Sequence, residues 1–238
     1  MNNIFEINGK NTLITGITGD IGSAIASYFS NKNQNIFGIG RDSKKNKLKN
    51  INFYEIDMLN TDEIKNFAKS IDFSIDNLIF CHGIHGARPV RMLDDKFTDL
   101  VMKTNYSSTI NLLSNLIRAK KINAPGRVVF VSSIAAHMGA KNNVVYAGAK
   151  SAVEASFRSI AKDYLKKNIT FNSIAPAAIR TKLFQGNNDL QVLNESTYPL
   201  GIGQTEDIAY ACEFLCAKGA KHITGETLIL AGGATYLE

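Results

Sequence analysis

The sequence predicts an α/β protein built on a doubly wound parallel sheet, and three observations lead to this fold class. Short apolar segments alternate with helix-like segments along the 238 residues. The apolar segments lack polar alternation, which is typical of strands that are covered on both faces. Alternation of strand with helix favours parallel strands, because each helix returns the chain to the same end of the sheet. A chain of this length can bury the core of one such domain.

Seven strands and five helices follow in order, and each predicted strand is rich in aliphatic, β-branched or aromatic residues. The strands are NTLIT at 11–15, NIFGI at 35–39, NFYEI at 52–56, NLIFC at 77–81, RVVFVS at 127–132, ITFNSI at 169–174 and ETLIL at 226–230. The helices are predicted near 20–31, 61–70, 98–120, 144–167 and 205–217. Ligands of such sheets bind beyond the carboxyl ends of the strands, so the segments that follow the strands are the candidates for a functional site.

The composition, with 45% hydrophobic and 20% charged residues, is that of an ordinary globular protein. The apolar runs are much shorter than the roughly 18 residues that a membrane-spanning helix needs. The start, MNNIFEINGK, lacks the pattern of a signal peptide, so we expect a soluble, cytoplasmic protein without a membrane partner. No Cys or His spacing matches a metal site, and Cys81, Cys212 and Cys216 are expected to be buried thiols.

The net charge is +6, and part of the basic excess lies in three clusters, at 44–49, 118–121 and 166–167. These clusters are either solvated loops and helix ends or surfaces that attract an anionic partner, such as a phosphorylated cofactor or an acidic carrier protein. A nucleic-acid partner is not expected, because no nucleic-acid-binding motif accompanies the charge.

A glycine-rich turn, TGITGDIG at 15–22, joins the first predicted strand to the first helix. Gly16 can adopt positive φ, Gly22 lets the helix pack closely on the sheet, and the helix N-terminus offers N–H groups to a pyrophosphate. A plain turn is the alternative. We expect the Asp20 carboxylate to point away from the pyrophosphate and to cap helix N–H groups, which leaves backbone N–H groups and the Thr18 hydroxyl for the phosphates.

The second strand ends in NIFGIGRDSKK, which bears on the choice of cofactor. A site for NAD usually carries an acid here, whereas an arginine suits the 2′-phosphate of NADP. Gly40 occupies the position of the acid, and Arg41 follows it. The sequence therefore predicts NADP, with NAD and a merely solvated arginine as alternatives.

A candidate catalytic site consists of three side chains that follow the fifth strand. Ser133 follows the strand, and Tyr146 and Lys150 are four residues apart, on one face of the next helix. A phenol has a pKa of about 10, and a nearby ammonium group lowers it. Ser133 can donate a hydrogen bond to a substrate carbonyl.

The chain resembles the classical short-chain dehydrogenase/reductase family over nearly its full length. The resemblance rests on TGITGDIG, on Asp57 in YEIDML, on Asn105 in VMKTNYSS, on Ser133, and on the segments YAGAK, NSIAPAAIRT, TEDIAYACEFL and ITGETLILAGG. It implies a single-domain Rossmann fold over 1–238, with a seven-stranded parallel sheet, helices on both faces and a substrate lid near 182–198.

The resemblance also implies the roles of four catalytic residues. Tyr146 matches the general acid, or the base in the reverse direction, and Lys150 matches the residue that lowers the tyrosine pKa and holds the nicotinamide ribose. Ser133 matches the group that orients the carbonyl, and Asn105 matches the residue that positions a water behind the lysine.

The implied cofactor contacts extend along the whole first half of the chain and beyond. They are Gly16, Thr18, Asp20, Ile21, Gly22, Arg41, Asp57, Met58, Cys81, Gly83, Tyr146, Lys150, Pro176, Ile179 and Thr181. Cys81-His82-Gly83 departs from the family's Asn-Ala-Gly, and Cys81 cannot brace the strands as an amide does. We expect His82 to fill space or cap a backbone group; a catalytic addition is the alternative.

The resemblance permits a 3-oxoacyl thioester on acyl carrier protein as substrate, with 118–121, Arg127 and 166–167 as a basic landing patch. Another small alcohol, ketone or sugar-derived substrate is the first alternative, and a non-catalytic cofactor-binding protein is the second. Apolar lid residues and the loop residues His85, Arg88, His137, Met138 and Asn142 are candidates for the substrate side. The family also implies a homotetramer or homodimer.

Overall fold

Seven parallel strands form one sheet in this computed structural model, which describes residues 4–182 and 198–234. The order is β3-β2-β1-β4-β5-β6-β7, and every neighbouring pair is parallel. The predicted seven-stranded parallel sheet is confirmed. The strands are β1 Asn11–Thr15, β2 Asn35–Gly40, β3 Asn52–Glu55, β4 Ile75–Phe80, β5 Ile122–Val131, β6 Ile169–Pro176 and β7 Thr227–Leu230.

Six α-helices cover the two faces of the sheet. They are α1 Asp20–Asn31, α2 Thr61–Ser70, α3 Asp95–Met102, α4 Ser108–Arg118, α5 Val144–Tyr164 and α6 Thr205–Cys216. Successive residues of a strand point to opposite faces, and Leu13 and Ile14 of β1 accordingly belong to different cores. Residues of α2, α4 and α5 pack in one core and residues of α1 and α6 pack in the other, which confirms the doubly wound arrangement.

The predicted helix 98–120 is wrong as one continuous α-helix. A π-helical turn, Lys103–Ser107, separates α3 from α4. Side-chain bonds link this turn to both helices. Asn105 Nδ2 in the turn donates to the Val101 carbonyl of α3 at 2.9 Å, and Ser108 Oγ of α4 donates to the Thr104 carbonyl in the turn at 2.8 Å. Such single π turns are often found at functional sites. Asn105 is completely buried in it.

Gly16 and Gly22 set the shape of the turn between β1 and α1. Gly16 has a φ of +67°, which favours glycine. A Cβ atom at position 22 would lie 2.4 Å from the carbonyl oxygen of Gly16 and 3.0 Å from the Cα atom of Ile17. The start of α1 therefore packs on the turn at a distance that only glycine permits.

Gly22→Ala is expected to weaken cofactor binding, because either the turn or the start of α1 must move. Overpacking of this kind costs about 1–3 kcal/mol, which corresponds to a rise of roughly 5- to 150-fold in the dissociation constant of the predicted dinucleotide if the whole cost falls on the bound state. Fluorescence titration measures this constant. Gly148→Ala in α5 is the control, since a Cβ there meets nothing within 4 Å. Equal affinities of the Gly22 variant and wild type would contradict the proposed role of the turn.

Within residues 4–182 and 198–234, no helix is both long and apolar enough to cross a membrane.

Candidate active site

A crevice of about 350 Å³ opens at the carboxyl ends of β1, β2, β3 and β4. The strand order reverses between β1 and β4, and ligands of such sheets bind at this switch point. Several of the predicted cofactor residues come together in its lining, namely Gly16, Thr18, Arg41, Asp57, Met58, Cys81 and Gly83.

The end of this crevice at α1 fits the diphosphate of a dinucleotide. Gly19 is the N-cap of α1 and makes no side-chain cap bond, so the first N–H groups of the helix have no capping side chain there. A helix N-terminus favours an anion through these groups and its dipole. A Cβ atom at Gly16 would lie 2.8 Å from the backbone of His82 and would fill the cradle. The glycine turn and the start of α1 therefore fit the diphosphate of a dinucleotide.

The opposite end of the crevice carries a cation rather than an acid. Arg41 lines it, whereas Asp42 turns its carboxylate to its own loop and accepts a hydrogen bond from the Lys44 N–H at 3.0 Å. Asp57 lines the same crevice, with Oδ1 accepting from the Leu59 N–H at 3.0 Å. An arginine suits a phosphate because it offers charge and several donors.

Lys150 lies at the centre of the catalytic candidate. Its side chain is buried, and Nζ donates to the Val131 carbonyl at 2.9 Å and lies 4.5 Å from the centroid of the Phe130 ring. A Cβ atom on Gly83 would lie 2.5 Å from Asn105 Oδ1 and 3.6 Å from Lys150 Nζ. The structure thus brings Asn105 and Lys150 to the same edge of the crevice. Burial lowers the pKa of Lys150 to about 8, against the opposing influence of Cys81 and Glu154.

Tyr146 is half-buried and lies one turn of α5 before Lys150. Burial raises the pKa of its phenol above the ordinary value, and the hydrogen bond with Ser133 acts in the opposite direction. The loss of solvation outweighs the opposing influences on the phenol, and Lys150 Nζ lies 5.7 Å from the tyrosine ring centroid. The phenol is therefore protonated at neutral pH, as a proton donor must be. That Lys150 lowers this pKa stays a prediction.

Ser132 and Ser133 serve different partners, as adjacent residues at a strand end do. Ser133 Oγ accepts from the Ala135 N–H at 3.2 Å and is hydrogen-bonded with Tyr146. Ser132 Oγ donates to the buried carboxylate of Glu154, which also holds His137 Nε2 at 2.9 Å. His137, a candidate for substrate contact, is thus engaged with the protein itself.

A family model described as enoyl-(acyl carrier protein) reductase matches residues 16–235. The chain belongs to the short-chain dehydrogenase/reductase family. A 3-oxoacyl-[acyl-carrier-protein] reductase of Buchnera aphidicola is 32% identical, over 96% of this chain and 98% of that protein. Its counterpart in Haemophilus influenzae is 31% identical, over 94% and 98%. A solved short-chain dehydrogenase family protein from Francisella tularensis superposes with a TM-score of 0.86 at 25% identity, over 95% and 99% of the two chains.

Membership of this family makes the protein an NAD(P)-dependent oxidoreductase. Among the described residues, no group of three or more His, Cys, Asp or Glu side chains could hold a metal ion.

Asp20 stands where the classical family turn has a glycine, and its carboxylate is directed away from the crevice. Its Oδ2 accepts from the Lys182 N–H at 2.8 Å, and Oδ1 lies 3.4 Å from Lys182 Nζ. This contact takes the place of the expected bond to helix N–H groups. Asp20 lines a neighbouring cleft together with Ser23 and Arg180, while Ile21 and Gly22 follow it in the first turn of α1.

The residues expected at the nicotinamide end lie outside the lining of the crevice. Pro176 ends β6, Ile179 is buried and pairs with Gly203, and Thr181 lies in the cleft with Asp20. The lid candidates Leu183, Phe184, Leu190, Val192 and Leu193 lie outside the described residues. His85 contacts Tyr146 ring to ring at 4.9 Å, and Arg88 pairs with Asp94 at 3.1 Å.

His82 was expected to fill space or cap a backbone group, and the structure gives it different partners. It bonds two side-chain hydroxyls, those of Thr15 and Ser108, rather than a backbone group. The two partners are far apart in sequence, and no local pattern links them to position 82.

Arg127 was expected in the basic landing patch for the carrier protein, and this expectation is wrong. Its side chain is buried, with Nη1 donating to the Gly126 carbonyl at 3.0 Å, so it is a core residue and not part of a surface.

Proposed function

We propose that this enzyme reduces the 3-oxo group of an acyl thioester held on acyl carrier protein, with NADPH as the reductant. The observation that carries the proposal is the arrangement of Tyr146, which is hydrogen-bonded with Ser133 and lies one turn of α5 before the buried Lys150. The direction of the reaction follows the relatives, which are reductases. The acyl chemistry is supported by the relatives that match nearly the full length of the chain, which are 3-oxoacyl-[acyl-carrier-protein] reductases.

Four side chains take part in the reduction in this proposal, two at the carbonyl and two that support them. Ser133 orients the carbonyl oxygen through a hydrogen bond, and Tyr146 donates its proton to that oxygen as negative charge develops. Lys150 provides a buried positive charge beside the tyrosine, and Asn105 holds the backbone at the other side of the lysine. General acid catalysis of this kind contributes roughly 10²–10⁴-fold.

The dinucleotide, when bound, supplies the hydride. The first turn of α1 with Gly16 and Thr18 would hold its diphosphate, Asp57 its adenine, and Arg41 its 2′-phosphate. The buried walls around Lys150 exclude water from the reacting atoms, which strengthens each electrostatic contact.

Arg41→Ala is expected to raise the KM for NADPH about 10- to 100-fold, because a hydrogen bond to a charged group contributes about 1.5–3 kcal/mol. The KM for NADH should stay the same, since NADH has no 2′-phosphate. Initial rates at varied NADPH and NADH measure both constants. Lys49→Ala, in the neighbouring basic cluster 44–49 and outside the lining of the crevice, is the control. An unchanged KM for NADPH would remove Arg41 from the cofactor site.

Three lysines can attract the acidic carrier, but they lie far from the crevice of their own chain. Lys120 comes just before β5, and Lys166 and Lys167 come just before β6; the three share a cleft at the amino ends of these strands. The crevice is at the carboxyl ends. In this proposal, the three lysines of one subunit bind the carrier while its acyl group enters the crevice of a neighbouring subunit. Carrier recognition therefore depends on assembly.

An exposed apolar surface supports that assembly. β7 is an edge strand, and Leu228 and Ile229 on it are exposed beside Tyr210 and Phe214 of α6. Unpaired sheet edges with apolar residues favour association with another chain. We propose a homodimer or homotetramer, for which sedimentation velocity gives the test. The three free cysteines accord with the proposed cytoplasmic location.

A panel of substrates tests the proposed reaction. NADPH consumption is measured with a 3-oxoacyl thioester on carrier protein, with the same acyl group on a small thiol, and with a diketone and several sugars. Faster reduction of the carrier-bound thioester, with a rate that falls as salt rises, is the expected result. Preferred turnover of a sugar or simple ketone would favour the alternative substrate class, and equal rates on carrier-bound and free thioester at all salt concentrations would exclude carrier recognition.

A further inference from the structure

We infer that His82 is a positioning residue, which ties the end of β1 to the π-helical turn and so fixes Asn105 in the catalytic site. This inference rests on the proposed function, because it takes Asn105 to act in catalysis. His82 Nδ1 lies 2.7 Å from Thr15 Oγ1, and His82 Nε2 lies 2.8 Å from Ser108 Oγ. Thr15 ends β1, and Ser108 follows directly on the π-helical turn.

The surrounding bonds determine the direction of each proton in this chain. Ser108 Oγ donates its only proton to the Thr104 carbonyl at 2.8 Å, so it must accept from Nε2–H of His82. Nδ1 then carries a lone pair and accepts from the Thr15 hydroxyl. Thr15 Oγ1 in turn accepts from the Cys81 N–H at 3.2 Å. Every proton has an acceptor, and His82 is required as the neutral Nε2–H tautomer.

The chain reaches Asn105 within one turn of helix. The Thr104 carbonyl, which accepts from Ser108, belongs to the residue before Asn105, and Thr109 Oγ1 bonds the Asn105 carbonyl at 3.2 Å. Asn105 itself donates to the Ile84 carbonyl at 3.0 Å and accepts from the Ile84 N–H at 3.2 Å. Both ends of the loop 82–84 are thus bound to this part of the helix. His82 bonds Ser108, directly after the π-helical turn, and Ile84 bonds Asn105 within it.

A direct catalytic role for His82 does not fit its surroundings. The ring is buried, both nitrogens are occupied, and burial lowers its pKa to about 3. The imidazole instead supplies the brace that the thiol of Cys81 cannot provide. A hydrogen-bonded network of this kind specifies one arrangement of the groups it joins.

A double-mutant cycle tests the inference. His82→Ala and Ser108→Ala each break the chain at one point, and either should lower kcat about 10- to 100-fold, as expected when a catalytic group is misplaced. In an Asn105→Ala background, the same substitutions should change kcat less than twofold, because the residue through which they act is gone. The KM for NADPH should change less than kcat. His222→Ala, at an exposed histidine, is the control.

A second readout does not depend on turnover. ¹⁵N NMR of the apo enzyme at pH 7 should show His82 as the Nε2–H tautomer, and the side-chain amide signal of Asn105 should shift in Ser108→Ala but not in His222→Ala. The inference would be overturned if His82→Ala and Ser108→Ala lowered kcat equally in the wild-type and Asn105→Ala backgrounds. It would also be overturned if the side-chain amide signal of Asn105 did not shift in Ser108→Ala. If wild type reduces no substrate of the panel, the proposed function fails, whereas the NMR result still decides the role of His82.

Discussion

Tyr146→Phe is expected to lower kcat for carbonyl reduction by roughly 10²–10⁴-fold, the usual contribution of a general acid. Phenylalanine keeps the ring and its edge contact with His85 but has no proton to donate. Because burial keeps the tyrosine protonated, wild type should retain this step up to at least neutral pH. Single-turnover rates with NADPH, followed at saturating substrate, measure the chemical step.

Tyr164→Phe is the matched control, since Tyr164 lies on the same helix and packs in the core instead of the site. It should leave kcat within a factor of two. The dissociation constant of NADPH, measured by fluorescence, should rise much less in the Tyr146 variant than kcat falls. Turnover close to wild type in Tyr146→Phe would exclude the phenol as the proton donor.

Lys150→Met is expected to have the second-largest effect, with a loss of at least 10²-fold in kcat/KM. The substitution removes a buried positive charge that lies beside both Tyr146 and the loop at Gly83. It also changes the pH dependence. The lysine has a pKa of about 8, so wild type loses this charge as pH rises through that value, and the reduction rate should fall by about tenfold per unit above it.

The pH profile separates a loss of charge from a loss of structure. Lys150→Met should show no such fall near pH 8, because methionine does not titrate. Lys162→Met, at an exposed position of the same helix, should keep both the rate and the profile of wild type. A wild-type profile that is flat across pH 7–9 would show that the charge on Lys150 does not limit the reaction.

The fold could be predicted because its information is local. Most strands contain a short run of apolar residues, such as VVFV within β5, and segments of helical character separate them. The candidate catalytic site could be predicted for the same reason. Tyr146 and Lys150 are four apart on one helix and share a face, and Ser133 follows the strand before that helix.

The parts that could not be predicted depend on contacts between distant residues. The helical pattern of 98–120 continues without interruption in the sequence, and the backbone of the folded chain reveals the π-helical turn at Lys103–Ser107. Asp20 meets Lys182 across 162 residues, and His82 meets Ser108 across 26. The pKa of Tyr146 was expected to fall through one neighbour, Lys150, whereas the loss of solvation, which depends on the surrounding fold, raises it.

The crevice at the switch point has a consequence for folding. Its lining combines Gly16 with Arg41, Asp57 and Gly83, and these residues meet only after β1 has paired with both β2 and β4. The unfolded chain therefore offers the dinucleotide no site. A ligand that binds only the native state stabilises it by mass action, by about 2.7 kcal/mol at a hundred times its dissociation constant. The concentration of free nucleotide in the cell, relative to its dissociation constant, thus sets how strongly the native chain is protected from unfolding and from proteolysis of the unfolded state.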